Sequence, residues 1–210
     1  MFGTVLSRTA QTALALLGKA NVLPPETYLA GGTALALHFG HRKSEDLDFF
    51  TPSEFDPIAL HHALSSLGEC QSEFAKGMTL LGVFNGVKFS CFRYDYPLIG
   101  ACTSYEGIRV ASPDDIVAMK LVAIMDRATK RDYVDLFEFH RHGMTIEQMF
   151  ALYDTKYHFL ETNRFSLIKA LGYLDDADVT KMPEMLVSIR WEDVKTFFAS
   201  ESLRLARQWL

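Results

Sequence analysis

The chain has 210 residues, of which 49% are hydrophobic and 22% charged, with a formal net charge of −5. The hydrophobic fraction excludes wholesale disorder, and the length suits one domain or two small lobes. The negative charge excludes a general nucleic-acid coat, which needs many cations against phosphate, but not a cleft that touches a few phosphates. No apolar run approaches the ~20 residues of a membrane helix. Three cysteines without a CxxC pair indicate reduced thiols and a cytoplasmic protein.

Helix and strand patterns alternate through the first half of the chain. The first helix is amphipathic and carries polar residues, which argues against a secretory signal. Thr33 is predicted to cap the second helix and Gly40 to end it, and Asp56 is predicted to cap the third. The predicted elements are a helix over 5–19, a strand over 28–30, a helix over 33–40, a strand over 44–50 and a helix over 56–68.

A β-hairpin and a long helical region follow. Asn85-Gly86 joins two apolar runs, 78–84 and 87–95, and suits the positive φ angles of a two-residue type I′ turn. From Ser112-Pro113 onward the pattern is helical almost to the end. We therefore predict an α+β protein with a mixed α/β lobe over 1–110 and a helical lobe over 111–210 that closes a cleft.

Two aspartates interrupt the predicted strand over 44–50. In an extended strand Asp46 and Asp48 point to the same side and lie about 6.6 Å apart. Two carboxylates side by side repel each other, and a divalent cation removes that cost. Mg²⁺ commonly binds through one or two carboxylates plus substrate phosphates. The strand therefore predicts a metal site.

Gly31-Gly32 lies between a predicted strand and a predicted helix. Glycine lets the backbone approach a ligand and offer N–H groups to phosphate. A lone Gly-Gly is usually a turn, and a lone Asp-x-Asp is usually a solvated loop. Their order here, strand, turn, helix and acidic strand, favours a nucleotide site over either alternative.

Residues 31–50, GGTALALHFGHRKSEDLDFF, resemble the signature of the DNA polymerase β-like nucleotidyltransferase superfamily. More narrowly, GGTAL with RxSxDLDFF resembles the AbiEii/AbiGii toxins of bacterial abortive-infection and toxin–antitoxin pairs. A second block, residues 120–139, resembles the downstream motif of that family. The resemblance implies a polymerase β-like lobe with a mixed sheet, and transfer of a nucleotide from an NTP with a divalent metal, in some members to the acceptor end of tRNA.

The resemblance also implies roles for individual residues. Asp46 and Asp48 are expected to hold Mg²⁺ or Mn²⁺, Lys120 to contact phosphate and neutralise its charge during catalysis, and Asp132 to orient or deprotonate the accepting hydroxyl. Many superfamily enzymes have a third carboxylate on a later strand, for which Asp95 is a weak candidate here. The residues expected to surround the substrate are Gly31, Gly32, Thr33, Ser44, Lys120 and Arg131.

The second block allows two conformations. On one unbroken helix, Lys120, Arg127 and Arg131 form a basic stripe, and Asp132 points about 120° away from Lys120. A break near 128–130 instead lets Asp132 open a second helix and turn back. The functional hypothesis predicts the break. Asp132 and Asp135 are equal candidates for the later acidic residue, with Asp135 suited to orienting an arginine, and a solvated helix face is the structural alternative.

The leading hypothesis is an enzyme that moves a nucleotidyl group from an NTP to a hydroxyl acceptor, with RNA such as tRNA the predicted acceptor. It implies a toxin with a cognate antitoxin and no membrane partner. The alternative is a catalytically degenerate module that binds a nucleotide or a protein, and a third option is a structural role for the acidic strand. The sequence indicates neither the NTP nor the acceptor.

Overall fold

The computed structural model describes residues 1–158 and 164–209. The chain forms two compact units, Met1–Pro113 and Asp114–Leu210. The first unit carries a mixed β-sheet with helices, and the second is helical.

The sheet of the first unit has the strand order β3-β4-β5-β2-β1-β7-β6. Its central strand, β2, is antiparallel to β1 on one side and parallel to β5 on the other. Strand β1 also pairs in parallel with β7. The strands are β1 Tyr28–Leu29, β2 Leu47–Thr51, β3 Cys70–Lys76, β4 Thr79–Phe84, β5 Val87–Arg93, β6 Thr103–Tyr105 and β7 Ile108–Val110.

The helices of the first unit follow the predicted order, with two corrections to helix starts. The first helix was predicted from residue 5 but begins at Arg8, because the Ser7 side chain caps it by accepting from the Ala10 amide. The Asp56 side chain accepts from the Ile58 amide, and Gly40 ends a helix with φ +69°, as predicted. Thr33 does not cap the second helix, because that helix begins at Gly31 and its cap position is Ala30. The helices are a 3₁₀ turn Gly3–Val5, α1 Arg8–Ala20, α2 Gly31–Phe39 and α3 Pro57–Leu67.

Burial alternates along β2, as expected for a strand with one face in the core. Leu47 and Phe49 are buried, whereas Asp48 and Phe50 on the opposite face are partly exposed. Phe49 packs against Phe89 of β5 with ring centroids 5.4 Å apart. This packing fixes the face to which Asp48 points.

The hairpin at Asn85-Gly86 is confirmed, with φ angles of 48° and 78° at the two turn residues. Strand β3 was not predicted because it lies at the sheet edge and exposes most of its side chains, so it lacks an apolar alternation. Strands β6 and β7, three residues each, were also missed.

The second unit is helical, and a segment without helix or strand over residues 179–190 connects α8 to α9. The predicted break is confirmed, since α4 ends at Asp126 and Ala128 takes a φ of 43° before α5 begins. Among the described residues no helix is both long and apolar enough to cross a membrane. The helices are α4 Pro113–Asp126, which starts at the unit boundary, α5 Lys130–Arg141, α6 Ile146–Lys156, α7 Arg164–Gly172, α8 Asp175–Asp178 and α9 Trp191–Trp209.

Candidate functional site

Asp48 is held from two sides. Its Oδ1 accepts a hydrogen bond of 2.7 Å from the Ser90 hydroxyl on β5, the residue opposite it in the parallel register. Its Oδ2 lies over the start of α2, where a Cβ added to Gly31 would be 2.8 Å away. The Asp48 carbonyl accepts from the Ala30 amide at 3.0 Å. The carboxylate is therefore fixed beside the N-terminus of a nine-residue helix.

The two glycines make room for side chains of the protein itself. Gly31 has a φ of +66°, and its missing side chain leaves space for Asp48. A Cβ on Gly32 would collide with the Arg42 guanidinium. From the sequence we expected the glycines to leave space for a phosphate. In the structure they leave space for the side chains of Asp48 and Arg42.

Thr33 ties the start of α2 to the segment before β2. Its hydroxyl donates to the Asp46 carbonyl oxygen at 2.6 Å and lies 2.9 Å from the Ser44 hydroxyl. Thr33 itself is buried. Asp46 is the residue before β2 and not a strand residue, which corrects the predicted strand start. The contacts of Thr33 nevertheless fix the backbone of Asp46.

Two further residues of the site had no predicted role. Arg42 is buried and donates to the Lys43 carbonyl at 3.0 Å, with its guanidinium against Gly32. Ser90 is buried on β5. Arg42 lies within the resembling RxSxDLDFF block, so its position there was the available signal. Ser90 had none, because its contact with Asp48 spans 42 residues.

The oxygen atoms of this region suit a hard cation. The Asp48 carboxylate lies beside the Ser90 hydroxyl, and the backbone of Asp46, the second predicted carboxylate ligand, is held by Thr33 next to the Ser44 hydroxyl. Mg²⁺ and Mn²⁺ prefer such oxygen ligands, so the donor set fits the predicted metal. In the described part of the chain, no group of three or more His, Cys, Asp and Glu side chains is placed to hold a metal ion.

Asp95 is not part of this arrangement. Strand β5 ends at Arg93, so Asp95 lies beyond the strand on which the sequence placed it. Its side chain is 68% exposed and pairs with Arg93 at 2.8 Å. The weak candidate for a third carboxylate therefore lies off the strand and is paired with an arginine.

In the second unit, Lys120 binds both candidate aspartates. Its Nζ lies 2.9 Å from Asp132 Oδ1 and 2.6 Å from Asp135 Oδ2. The lysine side chain is 4% exposed, and both aspartates are fully buried. The break before α5 brings Asp132 back to Lys120, and the basic stripe of the alternative, unbroken helix is not formed.

Asp132 carries further hydrogen bonds at the start of α5. It accepts from the Arg127 guanidinium at 3.0 Å and from the Thr129 hydroxyl at 2.6 Å. Burial opposes ionisation, but the Lys120 charge, the Arg127 contacts and the Thr129 hydrogen bond outweigh it and hold the pKa of Asp132 well below its usual range. The Arg127 side chain is 51% exposed, and Arg131 is exposed in the first turn of α5.

Known proteins identify the class of this fold. JHP933 from Helicobacter pylori shares it with a TM-score of 0.57 at 21% identity, covering 97% of this chain and 94% of that one. The nucleotidyltransferase toxin MenT4 from Mycobacterium tuberculosis has a TM-score of 0.50 at 17% identity, covering 97% and 89%. The fold is that of polymerase β-like nucleotidyltransferases.

The family follows from sequence comparison. The model described as "Nucleotidyl transferase AbiEii toxin, Type IV TA system" matches residues 15–98 and 91–205. An uncharacterized protein of Aquifex aeolicus is 37% identical over 177 residues, covering 81% of this chain and 84% of that protein. The chain belongs to the AbiEii family of nucleotidyltransferase toxins. The resemblance found in residues 31–50 and 120–139 is thereby confirmed.

Proposed function

We propose that this AbiEii-family protein transfers a nucleotidyl group from an NTP to a hydroxyl of an RNA such as tRNA, as the toxin partnered by a cognate antitoxin. The observation that carries the proposal is the Asp48 carboxylate, held between Ser90 and the start of α2. A fixed carboxylate at a helix N-terminus juxtaposes the groups that a metal–triphosphate complex needs. We place the reaction in the cytoplasm, where NTPs and tRNA are found.

Each predicted site residue of the first unit has a role in this proposal. Asp46 and Asp48 would hold Mg²⁺ or Mn²⁺, which supplies positive charge against the triphosphate and lowers the pKa of the attacking hydroxyl. In this proposal the N–H groups at Gly31 and Gly32 would bind the phosphates, while Thr33, which contacts Ser44, keeps the backbone of Asp46 in position. The acceptor hydroxyl gives up its proton to water, and its oxygen forms a bond to the α-phosphorus as the bond to the leaving pyrophosphate breaks. Catalysis is then mostly positioning and charge neutralisation.

We extend the proposal to Lys120 and Asp132 of the second unit. Strongly perturbed ionisable groups are frequent at functional sites, and Asp132 is such a group. Its depressed pKa makes it a weak base and its carboxylate is fully buried, so we assign it to holding Lys120 in position and not to removing a proton from the acceptor. The Lys120 ammonium has three N–H donors, of which two face carboxylates, so one remains for a phosphate. Arg131, which is exposed on α5, is the second cation proposed to contact the substrate.

Incubation with labelled nucleotides tests the proposal. The protein is mixed with each α-labelled NTP, Mg²⁺ and total RNA, and the products are separated on a gel. We expect one NTP to label a discrete RNA species, and EDTA to abolish the labelling. Absence of label with all four nucleotides, in the presence of Mg²⁺ or Mn²⁺, would rule out the transfer reaction.

A binding module is the second candidate. Its support is that the strand beside Asp48 presents a serine to it and not a carboxylate. A scaffold with fewer acidic groups could bind a nucleotide without reacting. Calorimetry with NTP and Mg²⁺, run beside the labelling assay, separates the two candidates, because binding without product favours the module.

A further inference from the structure

The face of β5 beside Asp48 carries no acidic side chain. Side chains alternate along a strand, so Lys88, Ser90 and Phe92 share one face of β5. In the parallel register Ser90 lies opposite Asp48, and its hydroxyl contact shows that both side chains point to the same side of the sheet. A third carboxylate on β5 would face Asp48 from position 90, and this chain has a hydroxyl there.

The Ser90 hydroxyl restricts Asp48 without neutralising it. Ser90 is 8% exposed, and its 2.7 Å hydrogen bond to Oδ1 has an ionised acceptor, which makes it stronger than a bond between neutral groups. Gly31 bounds the other oxygen, Oδ2. A carboxylate at position 90 would instead repel Asp48 unless a cation lay between them. The serine therefore orients Asp48 and limits the negative charge of the site.

We propose that Ser90 is a positioning residue for Asp48, and that by standing in place of a third carboxylate it keeps the divalent-cation affinity of the nucleotide-free protein low. The cation then binds tightly only when a nucleotide adds its phosphate oxygens. With one or two carboxylates from the protein, Mg²⁺ sites commonly depend on substrate phosphates in this way. The inference rests on the proposed function for the identity of the nucleotide, but its first two tests do not depend on turnover.

The first test measures Mn²⁺ binding to the unaltered protein by calorimetry. Titrations are run without nucleotide and with a saturating NTP analogue that carries a methylene group between the α- and β-phosphorus, for each of the four bases. We expect Mn²⁺ to bind at least about 10-fold more tightly with one of the analogues, and the analogue to gain equally from Mn²⁺, because coupling is reciprocal. Titration of Mn²⁺ into each analogue without protein corrects for Mn²⁺ bound by the analogue in solution. Equal corrected Mn²⁺ affinity of the protein in all titrations would overturn the inference.

The second test uses Ser90→Asp without nucleotide. We expect Mn²⁺ to bind at least about 10-fold more tightly than to the unaltered protein, and the Tm to rise more on adding Mn²⁺. An unchanged Mn²⁺ affinity in a folded variant would overturn the assigned position. If Ser90→Asp folds only when Mn²⁺ is present, that dependence itself supports the cation at position 90. If the variant does not fold at all, the analogue titration described above tests whether Mn²⁺ affinity depends on the nucleotide.

The third test compares Ser90→Ala with Ser90→Thr. Threonine keeps the hydroxyl and suits a strand, whereas alanine removes it. We expect Ser90→Ala to lower kcat about 10- to 100-fold with little change in the KM for NTP. We expect Ser90→Thr to keep most of the kcat of the unaltered protein. Equal activity of the two variants would overturn the positioning role. If the unaltered protein labels no RNA, the proposed function fails, and the two Mn²⁺ tests still decide the role of Ser90.

Discussion

The two units hold their carboxylates in opposite ways. Asp48 of the first unit is partly exposed and receives its hydrogen bond from a neutral hydroxyl. Asp132 of the second unit is fully buried and bound by Lys120 and Arg127. A carboxylate that accepts from a neutral donor can still neutralise the charge of a bound cation. The charge of a carboxylate between two cations is already neutralised within the protein. Loss of Asp48 should therefore affect activity, and loss at Asp132 should affect stability first.

Asp48→Asn tests the first half of this comparison and has the largest expected effect. The amide keeps the shape of the side chain but removes the charge that a cation needs, so transfer should fall by at least about 1000-fold while the Tm changes little. Labelled-NTP turnover and thermal melting measure the two effects. Asp56→Asn is the matched control, because asparagine caps a helix as well as aspartate does. Normal turnover in Asp48→Asn would refute the carboxylate mechanism.

Lys120→Met tests the second half. It leaves two buried carboxylates without their shared lysine, so the free energy of unfolding should fall by about 3–5 kcal/mol, measured by denaturant titration. Lys156→Met is the matched control, because Lys156 forms a fully buried pair with Asp115 at 2.7 Å in the same unit.

The pair of variants also separates structure from function. If Lys120 acts only in stability, both variants keep their activity per folded molecule. If it acts in transfer, only Lys120→Met loses activity beyond its unfolded fraction. The first outcome would remove Lys120 from the proposed function and leave the ion network as a structural feature of the second unit.

Gly31→Ala has a smaller effect on the Asp48 side of the comparison. The added Cβ would lie 2.8 Å from Asp48 Oδ2, and the φ of +66° disfavours alanine by about 1–2 kcal/mol. Transfer should fall about 10- to 100-fold because the carboxylate moves. Gly77→Ala is the control, since Gly77 has a similar φ of +60° with open space around it. Equal activity losses in both variants would show that Asp48 is not displaced.

The pH dependence of stability gives the smallest effect. The pKa of Asp132 is depressed in the folded state, so its contribution is complete above the unfolded pKa of about 3.9 and is lost as the pH falls through the folded pKa. We expect urea midpoints to decline below about pH 4, and less steeply in Asp132→Asn. Identical slopes for the two proteins would mean that Asp132 contributes no pH-dependent stability.

Local signals in the sequence predicted the local parts of the structure. The Asn85-Gly86 turn and the Asp56 cap each depend on residues within one or two turns of chain, and each is confirmed. The break before α5 is also confirmed, but it was predicted from the functional hypothesis and not from a local signal. Thr33 was wrongly predicted as a helix cap because that prediction used only its local sequence. Threonine is a common cap, but here its hydroxyl bonds to Asp46, which lies 13 residues away.

Long-range contacts of the candidate site could not be predicted. The Ser90 hydrogen bond to Asp48 depends on the parallel pairing of β2 with β5, which no local pattern encodes. That Lys120 would bind both Asp132 and Asp135 also depends on how two helices meet after the break. A lysine is rarely buried without a partner, and the structure shows that Lys120 has two.

The central place of β2 in the sheet makes the candidate site a late product of folding. During synthesis the glycine turn and Asp48 leave the ribosome well before β5, which carries Ser90, and before Val110 of β7 pairs with Leu29. Pairings between distant segments form slowly, because the chain between them must first be ordered. A nascent or truncated chain that ends before β5 therefore contains the whole acidic strand but not the site, and we expect such a fragment to be inert as a toxin.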